Sequence, residues 1–545
     1  LTGNAHWGYF LADLWRSARP FSTTKPIVPQ PSNPTSPGRP GAGPERFLRV
    51  DHLSGNLRGR SVRGGAVTIG NQGIKFLLAL ASMAVLARLL TPEDFGLIAM
   101  VMALVNFIAI FKDLGLSMAT IQRAEVTHAQ VSTLFWINVA VSVLIMFTIA
   151  ALSPVLAWWY KEPRVTAITL ALAGSIIFSG LAVQHQALLR RQMRFGLVAV
   201  LETAGILVSF VSGIAAALSG WGYWSLVVVA VVREIAFTLG VWTLCRWRPG
   251  MPVRRSGARE LVSFGAHLTG FNVVNYVARN LDKFLIGRSW GAIPLGFYNK
   301  AYQMLLLPIQ QINNPITGVA VPTLSRVQGD IDRYRAYYRR GVFLTVTIGM
   351  PVVAFLFVTA EEAVLTLLGD QWLACVPIFR ALGPAAFVGT FNMATGWVYL
   401  SLGQTRRQFA FGIFGSIVTA AAFVIGNQWE GIGVALAYSV VQMILFPLAI
   451  VYCFRTSPLR VADFVLAVWR PAVASIVAGA ALYGVSAYYA SIAAEWVRLS
   501  VDFGFYAVFY ILIWIGLPHG RRAAGDVIRI TRDLRPGAAS RELEP

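Results

Sequence analysis

The feature that most limits what this chain can become is a series of fourteen apolar segments, each about one bilayer thickness long as a helix, joined by short charged links. Their approximate limits are 66–87, 97–116, 131–153, 165–183, 197–218, 223–244, 262–286, 296–324, 341–359, 374–401, 409–426, 431–453, 468–489 and 499–517. A hydrocarbon core of about 30 Å is crossed by about 20 helical residues. In lipid the backbone must satisfy its own hydrogen bonds, so the segments are expected to be helices. The ten-residue alternation of a membrane β-barrel is missing. Composition agrees: 13% of residues are charged, about half the 25% usual in soluble domains. The expectation is an all-α polytopic membrane protein of about 14 transmembrane helices, with no extramembrane domain.

Forty-six Lys and Arg against 25 Asp and Glu give a net charge of +21. That excess does not point to nucleic acid, because the cations sit in short clusters between apolar runs. Counting Lys112 near the end of the second segment, links after even-numbered segments carry nineteen Lys and Arg, and links after odd-numbered ones carry five. By the positive-inside rule the even-numbered links and both termini are expected in the cytoplasm of a multi-pass plasma-membrane protein. Trp158, Trp159, Trp221, Trp224, Trp290, Trp372, Trp429 and Trp496 lie at the opposite-side links and read as an interfacial belt. The three cysteines (Cys245, Cys375, Cys453) are too few and too scattered for a disulfide framework or thiolate site. The six histidines show no paired zinc spacing. Neither a metal nor a cofactor is called for.

Residues 20–44 are rich in Pro, Ser, Thr and Gly and poor in core formers, so 1–64 is expected to be a disordered cytoplasmic extension. It lacks the apolar core of a signal peptide. The chain begins with Leu rather than Met, which fits an alternative start codon or a natural start nearer residue 50.

An internal repeat runs at an offset of 200. GAVTIGNQGIKFLLALASMAVLARLLTPEDFG from Gly65 aligns without a gap to GAHLTGFNVVNYVARNLDKFLIGRSWGAIPLG from Gly265, matching Gly65/Gly265, Ala66/Ala266, Gly70/Gly270, Arg88/Arg288 and Gly96/Gly296. Spans 1 and 7 enter from the same side, so the repeat is parallel. It implies two pseudo-symmetric six-helix lobes, 65–250 (helices 1–6) and 251–456 (helices 7–12). Helices 13–14 (457–518) and a basic cytoplasmic tail (519–545) follow. Lobes of this kind rock around a midplane cavity in alternating access.

A charge at a helix centre costs roughly 2.5–3.5 kcal/mol, so it needs a wet cavity or a partner. Span 1 carries Thr68, Asn71, Gln72 and Lys75 on one face. Span 7 repeats the stripe with Asn272, Asn275, Arg279, Asp282 and Lys283, and span 8 continues it with Lys300, Gln303, Gln310, Gln311 and Asn314. Cations outnumber anions here: Lys75, Arg279, Lys283, Lys300, with Arg233 and Arg380, against Asp282, Glu202 and Glu234. A net-positive cavity suits a phosphate-bearing substrate. The other reading is an internal network of Arg279, Asp282 and Lys283 that clamps span 7 to a neighbour, with Lys283 and Arg288 snorkelling outward. Pro308, Pro315 and Pro322 on span 8 read as a hinge or a static kink.

The strings GGAVTIGNQG, LARLLTPEDFGLIAM, FKDLGLSMATIQR, STLFWINVAVS and RNLDKFLIGRSWGAIPLGFYNKAYQMLLLPIQQINNPITGVAVPTLSRVQ resemble bacterial lipopolysaccharide and exopolysaccharide export proteins of the multidrug/oligosaccharidyl-lipid/polysaccharide exporter superfamily. The resemblance spans roughly residues 60–455. It implies a flippase in the bacterial inner membrane that moves polyprenyl-diphosphate-linked oligosaccharide between leaflets, alongside polysaccharide polymerase and export machinery. It places the family's cationic cavity on Lys75, Arg279, Lys283, Lys300 and Arg380. Asn71, Gln72, Asn272, Asn275, Asp282 and Gln303 stand as polar lining. Two other classes stay open at this point. A cation-coupled drug antiporter of the same superfamily would prefer an acidic cavity. A membrane glycan polymerase or ligase would need catalytic groups on a large outer loop, where this chain offers Glu361, Glu362 and Asp370.

Overall fold

The computed structural model describes residues 57–109, 111, 116–122, 126–253, 280–489 and 495–518. The expected N-terminal extension up to residue 56 and the basic tail from 519 lie outside the described residues. Helix α1 (Leu57–Leu89) is followed by α2 (Pro92–Ala109), the short α3 (Leu116–Gln122), α4 (His128–Tyr160), α5 (Arg164–Arg191), α6 (Phe195–Leu218) and α7 (Trp224–Cys245). These make the first lobe. The described end of α8 (280–290) opens the second. It continues through α9 (Ala292–Arg326), α10 (Ile331–Val358), α11 (Ala360–Leu367), α12 (Cys375–Gly389), α13 (Met393–Ser401), α14 (Thr405–Gly426) and α15 (Glu430–Phe454). Two further helices, α16 (Val461–Tyr489) and α17 (Glu495–Gly516), pack on α10 and on each other.

Ten stretches among the described residues are long and apolar enough to cross a membrane, one of them holding both α14 and α15. Helix α9 is long enough but too polar to qualify, and span 10 is broken into α12 and α13. With α8, these accommodate the fourteen crossings implied by the sequence. Helix starts follow ordinary chemistry. At α2, the Thr91 backbone N–H donates to Asp94 Oδ2 at 2.9 Å while Asp94 N–H donates back to Thr91 Oγ1 at 3.3 Å. Pro92 stands at the first helical position, where its missing N–H costs nothing. Thr127 and Gln130 form the same reciprocal box at α4. Helix α9 keeps Pro308, Pro315 and Pro322 within one continuous helix.

The two lobes meet where α2 crosses α9. A Cβ added to Gly96 would stand 2.5 Å from the Ala292 carbonyl carbon and overlap its oxygen. One added to Gly296 would stand 2.9 Å from the Pro92 carbonyl carbon and overlap its oxygen. Gly96 and Gly296 differ by 200 in number, and so do Pro92 and Ala292. Each lobe therefore offers the other the same surface, as an isologous interface requires. The internal repeat is thus a spatial two-fold, and its matched glycines are the points of closest backbone approach.

Two expectations need correction. The link between spans 9 and 10 is largely α11 and a 3-10 turn at Asp370–Trp372. Trp372 does not belong to the interfacial belt. It is fully buried, and its indole N–H donates to the Ala87 carbonyl at 2.8 Å. Trp158, Trp221, Trp429 and Trp496 remain exposed as a belt requires.

Candidate functional site

Contacts between the lobes gather at the end that carries the odd-numbered links. There Gln371 Nε2 donates to the carbonyls of Ala87 at 2.6 Å and Leu90 at 3.2 Å. Arg88 Nη2 donates to the Thr366 carbonyl at 2.6 Å. Phe95 meets Trp372 edge to face with centroids 5.4 Å apart, and Tyr160 stacks on Phe284 at 6.5 Å. The largest apolar cluster runs through this junction and includes Leu97 and Met100 from one lobe with Leu295 and Tyr298 from the other. This end of the molecule is closed.

Further along, the lobe interface becomes polar and, among the described residues, open. Gln72 on α1 donates to Gln311 Oε1 on α9 at 2.5 Å. Among the described residues, no heavy atom comes within 4 Å of a Cβ position at Gly70 and Gly73 on α1 or at Gly318 on α9. Gln303, Gln310 and Asn314 lie exposed on one face of α9. The spacing of seven and four residues keeps them in one stripe.

The residues proposed from sequence fall into separate environments. Lys75 Nζ pairs with Glu202 Oε2 on α6. Gln186 Nε2 on α5 donates to the other carboxylate oxygen at 3.3 Å, and Arg190 Nη2 lies 3.7 Å from it. Asn71 Nδ2 donates to the Ala199 carbonyl at 3.1 Å and its Oδ1 accepts from Thr203 at 2.8 Å. The polar face of α1 is therefore shared between its own lobe and Gln311 of the other.

Lys300 lies elsewhere. It is 4% exposed, with Nζ 3.7 Å from the Phe95 ring centroid and 5.9 Å from that of Trp372, and it has no ion pair among the described residues. It thus sits inside the closed end, beneath two aromatic rings. Lys283 Nζ donates to Asn280 Oδ1 at 3.1 Å and stands 6.0 Å from the Tyr302 ring. Asp282 is buried, accepting from Tyr298 Oη at 2.8 Å and from the Lys283 backbone N–H at 2.8 Å. Arg380 and Gln303 are exposed. Arg279, Asn272 and Asn275 lie outside the described residues.

The sequence reading missed the convergence on Glu202. Its signal was available in part, since Gln186 and Arg190 are four residues apart on one helix face, but Arg190 was counted among link cations. Glu362, considered as an outer-loop catalytic group, is instead paired to Arg498 on α17 at 2.5 Å with both side chains largely buried.

The polysaccharide biosynthesis protein family matches residues 85–377. The chain is 26% identical over 430 residues to the lipopolysaccharide biosynthesis protein WzxC of Escherichia coli (strain K12), covering 76% of this chain and 85% of that one. It is 25% identical over 450 residues to the teichuronic acid biosynthesis protein TuaB of Bacillus subtilis (strain 168), covering 81% and 92%. Among solved structures, the lipid II flippase MurJ in an inward closed conformation superposes with a TM-score of 0.66 at 12% identity, covering 84% of this chain and 99% of that one.

Proposed function

The chain belongs to the polysaccharide biosynthesis protein family, and from that premise we propose that it is a flippase carrying polyprenyl-diphosphate-linked oligosaccharide across the plasma membrane. The observation that carries the mechanism is the one-ended closure of the lobes. The odd-link end is sealed around Gly96, Gly296, Phe95 and Trp372, while the polar stripe of α1 and α9 faces an open interface.

The even-numbered links face the cytoplasm in this reading, so the structure is closed to the outside. A lipid-linked diphosphate cannot pass hydrocarbon alone, because burying an unpaired charge costs far more than binding can supply. Between the lobes its oxygens meet Lys75, Arg190 and the amides of Gln72 and Gln311, while the polyprenyl tail stays in lipid. Rocking of the lobes then parts the α2–α9 crossing and its aromatic seal and uncovers Lys300, which meets the anion at the outer end. Lys283 and Arg380 serve the second lobe's share of the path in this reading, with Gln303 as a polar neighbour. No covalent bond is made or broken, so the reading involves no enzyme chemistry and no cofactor. A polysaccharide polymerase or export assembly on the outer face receives the product.

Removing the protein from its host is expected to leave lipid-linked oligosaccharide out of reach of a lectin added outside spheroplasts. An undiminished external lectin signal counts against the flippase. Loss of cation efflux with unchanged glycan would favour an antiporter.

A further inference from the structure

Within the first lobe, three donors on two helices converge on one carboxylate. Lys75 of α1 pairs with Glu202 Oε2, and Gln186 and Arg190 of α5 approach Oε1 at 3.3 and 3.7 Å. Helix α7 also packs against α6 but brings no ion pair to Glu202 among the described residues. An ammonium, a guanidinium and an amide N–H form the donor set that a phosphate group takes. Here a carboxylate of the protein itself holds that place.

The cluster is reachable. Side-chain exposures are 20% for Lys75, 31% for Glu202 and 45% for Arg190. Three residues before Lys75, Gln72 touches the opposite lobe, so the cluster borders the interface through which a substrate would move. A purely structural ion pair needs one cation. Two cations and an amide around one partly exposed carboxylate exceed that need.

We propose that Glu202 is a tethered counter-anion occupying an anion subsite built from Lys75, Arg190 and Gln186, which admits only ligands carrying more than one negative charge, such as a diphosphate. A tethered group acts at an effective concentration of about millimolar or more, so a singly charged phosphodiester meets a standing competitor. A diphosphate bridges Lys75 and Arg190 together and outbids the carboxylate through several charge-assisted bonds. Repulsion by the displaced Glu202 then hastens release once the lobes have turned. Selectivity against the abundant monoanionic phospholipid headgroups arises from that penalty rather than from added contacts. The identity of the substrate as a lipid diphosphate rests on the flippase reading; the subsite itself does not.

The test is calorimetric titration of the full chain in detergent with inorganic pyrophosphate and with dimethyl phosphate, a monoanionic diester. Glu202→Gln is expected to bind pyrophosphate about tenfold tighter than wild type and to gain binding of dimethyl phosphate. Adding Lys75→Gln should abolish both gains. If Glu202→Gln does not fold, Glu202→Asp, one methylene shorter, should show a smaller gain in the same direction. A folded Glu202→Gln or Glu202→Asp that binds pyrophosphate no tighter than wild type overturns the proposal, leaving Glu202 as a tie between α1 and α6. Wild type that moves lipid-linked oligosaccharide in vesicles alongside that null result sinks only the role of Glu202. Wild type that moves none, with the tenfold gain observed, sinks the flippase and leaves the anion subsite standing.

Discussion

Replacing Gly96 with Ala places a methyl group where the Ala292 carbonyl now lies, with 2.5 Å to its carbon and 2.9 Å to its Cα. Ordinary carbon contacts are about 3.5–4.0 Å, so the helices must part by about 1 Å. Extra volume in a packed core costs about 1–3 kcal/mol where side chains can yield. The obstacle here is backbone, so the closed state should lose about 3 kcal/mol, roughly a hundredfold in the closing equilibrium. Gly296→Ala meets the Pro92 carbonyl in the mirrored contact and should do the same. Because both act on one interface, the double variant should cost less than the sum of the two. Spin labels at Lys161 and Leu373, one on each lobe at the odd-link end, would report the separation after replacement of Cys245, Cys375 and Cys453. Both variants should shift the population to longer distances and slow transport. Unchanged distance distributions would refute the two-fold crossing as the contact that holds the closed state.

Arg498→Ala strands the buried Glu362 carboxylate, which should lower stability by about 3 kcal/mol and reduce the melting temperature in detergent; a change within error would show the pair to be incidental. Lys300→Met removes a cation buried under Phe95 and Trp372 without a carboxylate partner. It relieves the desolvation of that cation, so it should stabilise the closed end and raise the melting temperature while slowing transport. A lower melting temperature would contradict that reading. At the tip of the α4–α5 hairpin, the hydrogen bond from Arg164 holds the Glu162 carboxyl below its ordinary value of 4.5. Its contribution is therefore present above about pH 4.5 and is lost as pH falls through the lower folded-state value. Hydrogen exchange across 158–166 should rise on acidification in wild type and lose that dependence in Glu162→Gln.

Much of the architecture was legible because lipid imposes a single periodicity and length on each crossing. The offset of 200 survives in the sequence because two backbones that touch tolerate only glycine, and Gly96 and Gly296 record that contact directly. The site was less legible. A stripe such as Asn71, Gln72 and Lys75 shows that a helix face is polar but not what it meets. Here one face serves four partners: Ala199, Thr203, Gln311 and Glu202. Trp372 misled for a related reason, since an aromatic at a helix end reads as an interface anchor whether lipid or another lobe covers it. Lys300 was placed in a cavity from its polar stripe and from the family resemblance, neither of which shows its aromatic cover from Phe95, about two hundred residues distant in the chain. Span limits drifted because helices such as α4 extend beyond the hydrocarbon, where hydropathy no longer marks them.

The most direct test of the central claim is transbilayer movement of a fluorescent polyprenyl-diphosphate oligosaccharide in vesicles containing the purified protein, followed by quenching from outside. Wild type should expose lipid initially held in the inner leaflet, and Gly96→Ala and Lys300→Met should slow it. No movement of such a lipid by wild type, or equal movement of a neutral polyprenyl glycan, would contradict the account.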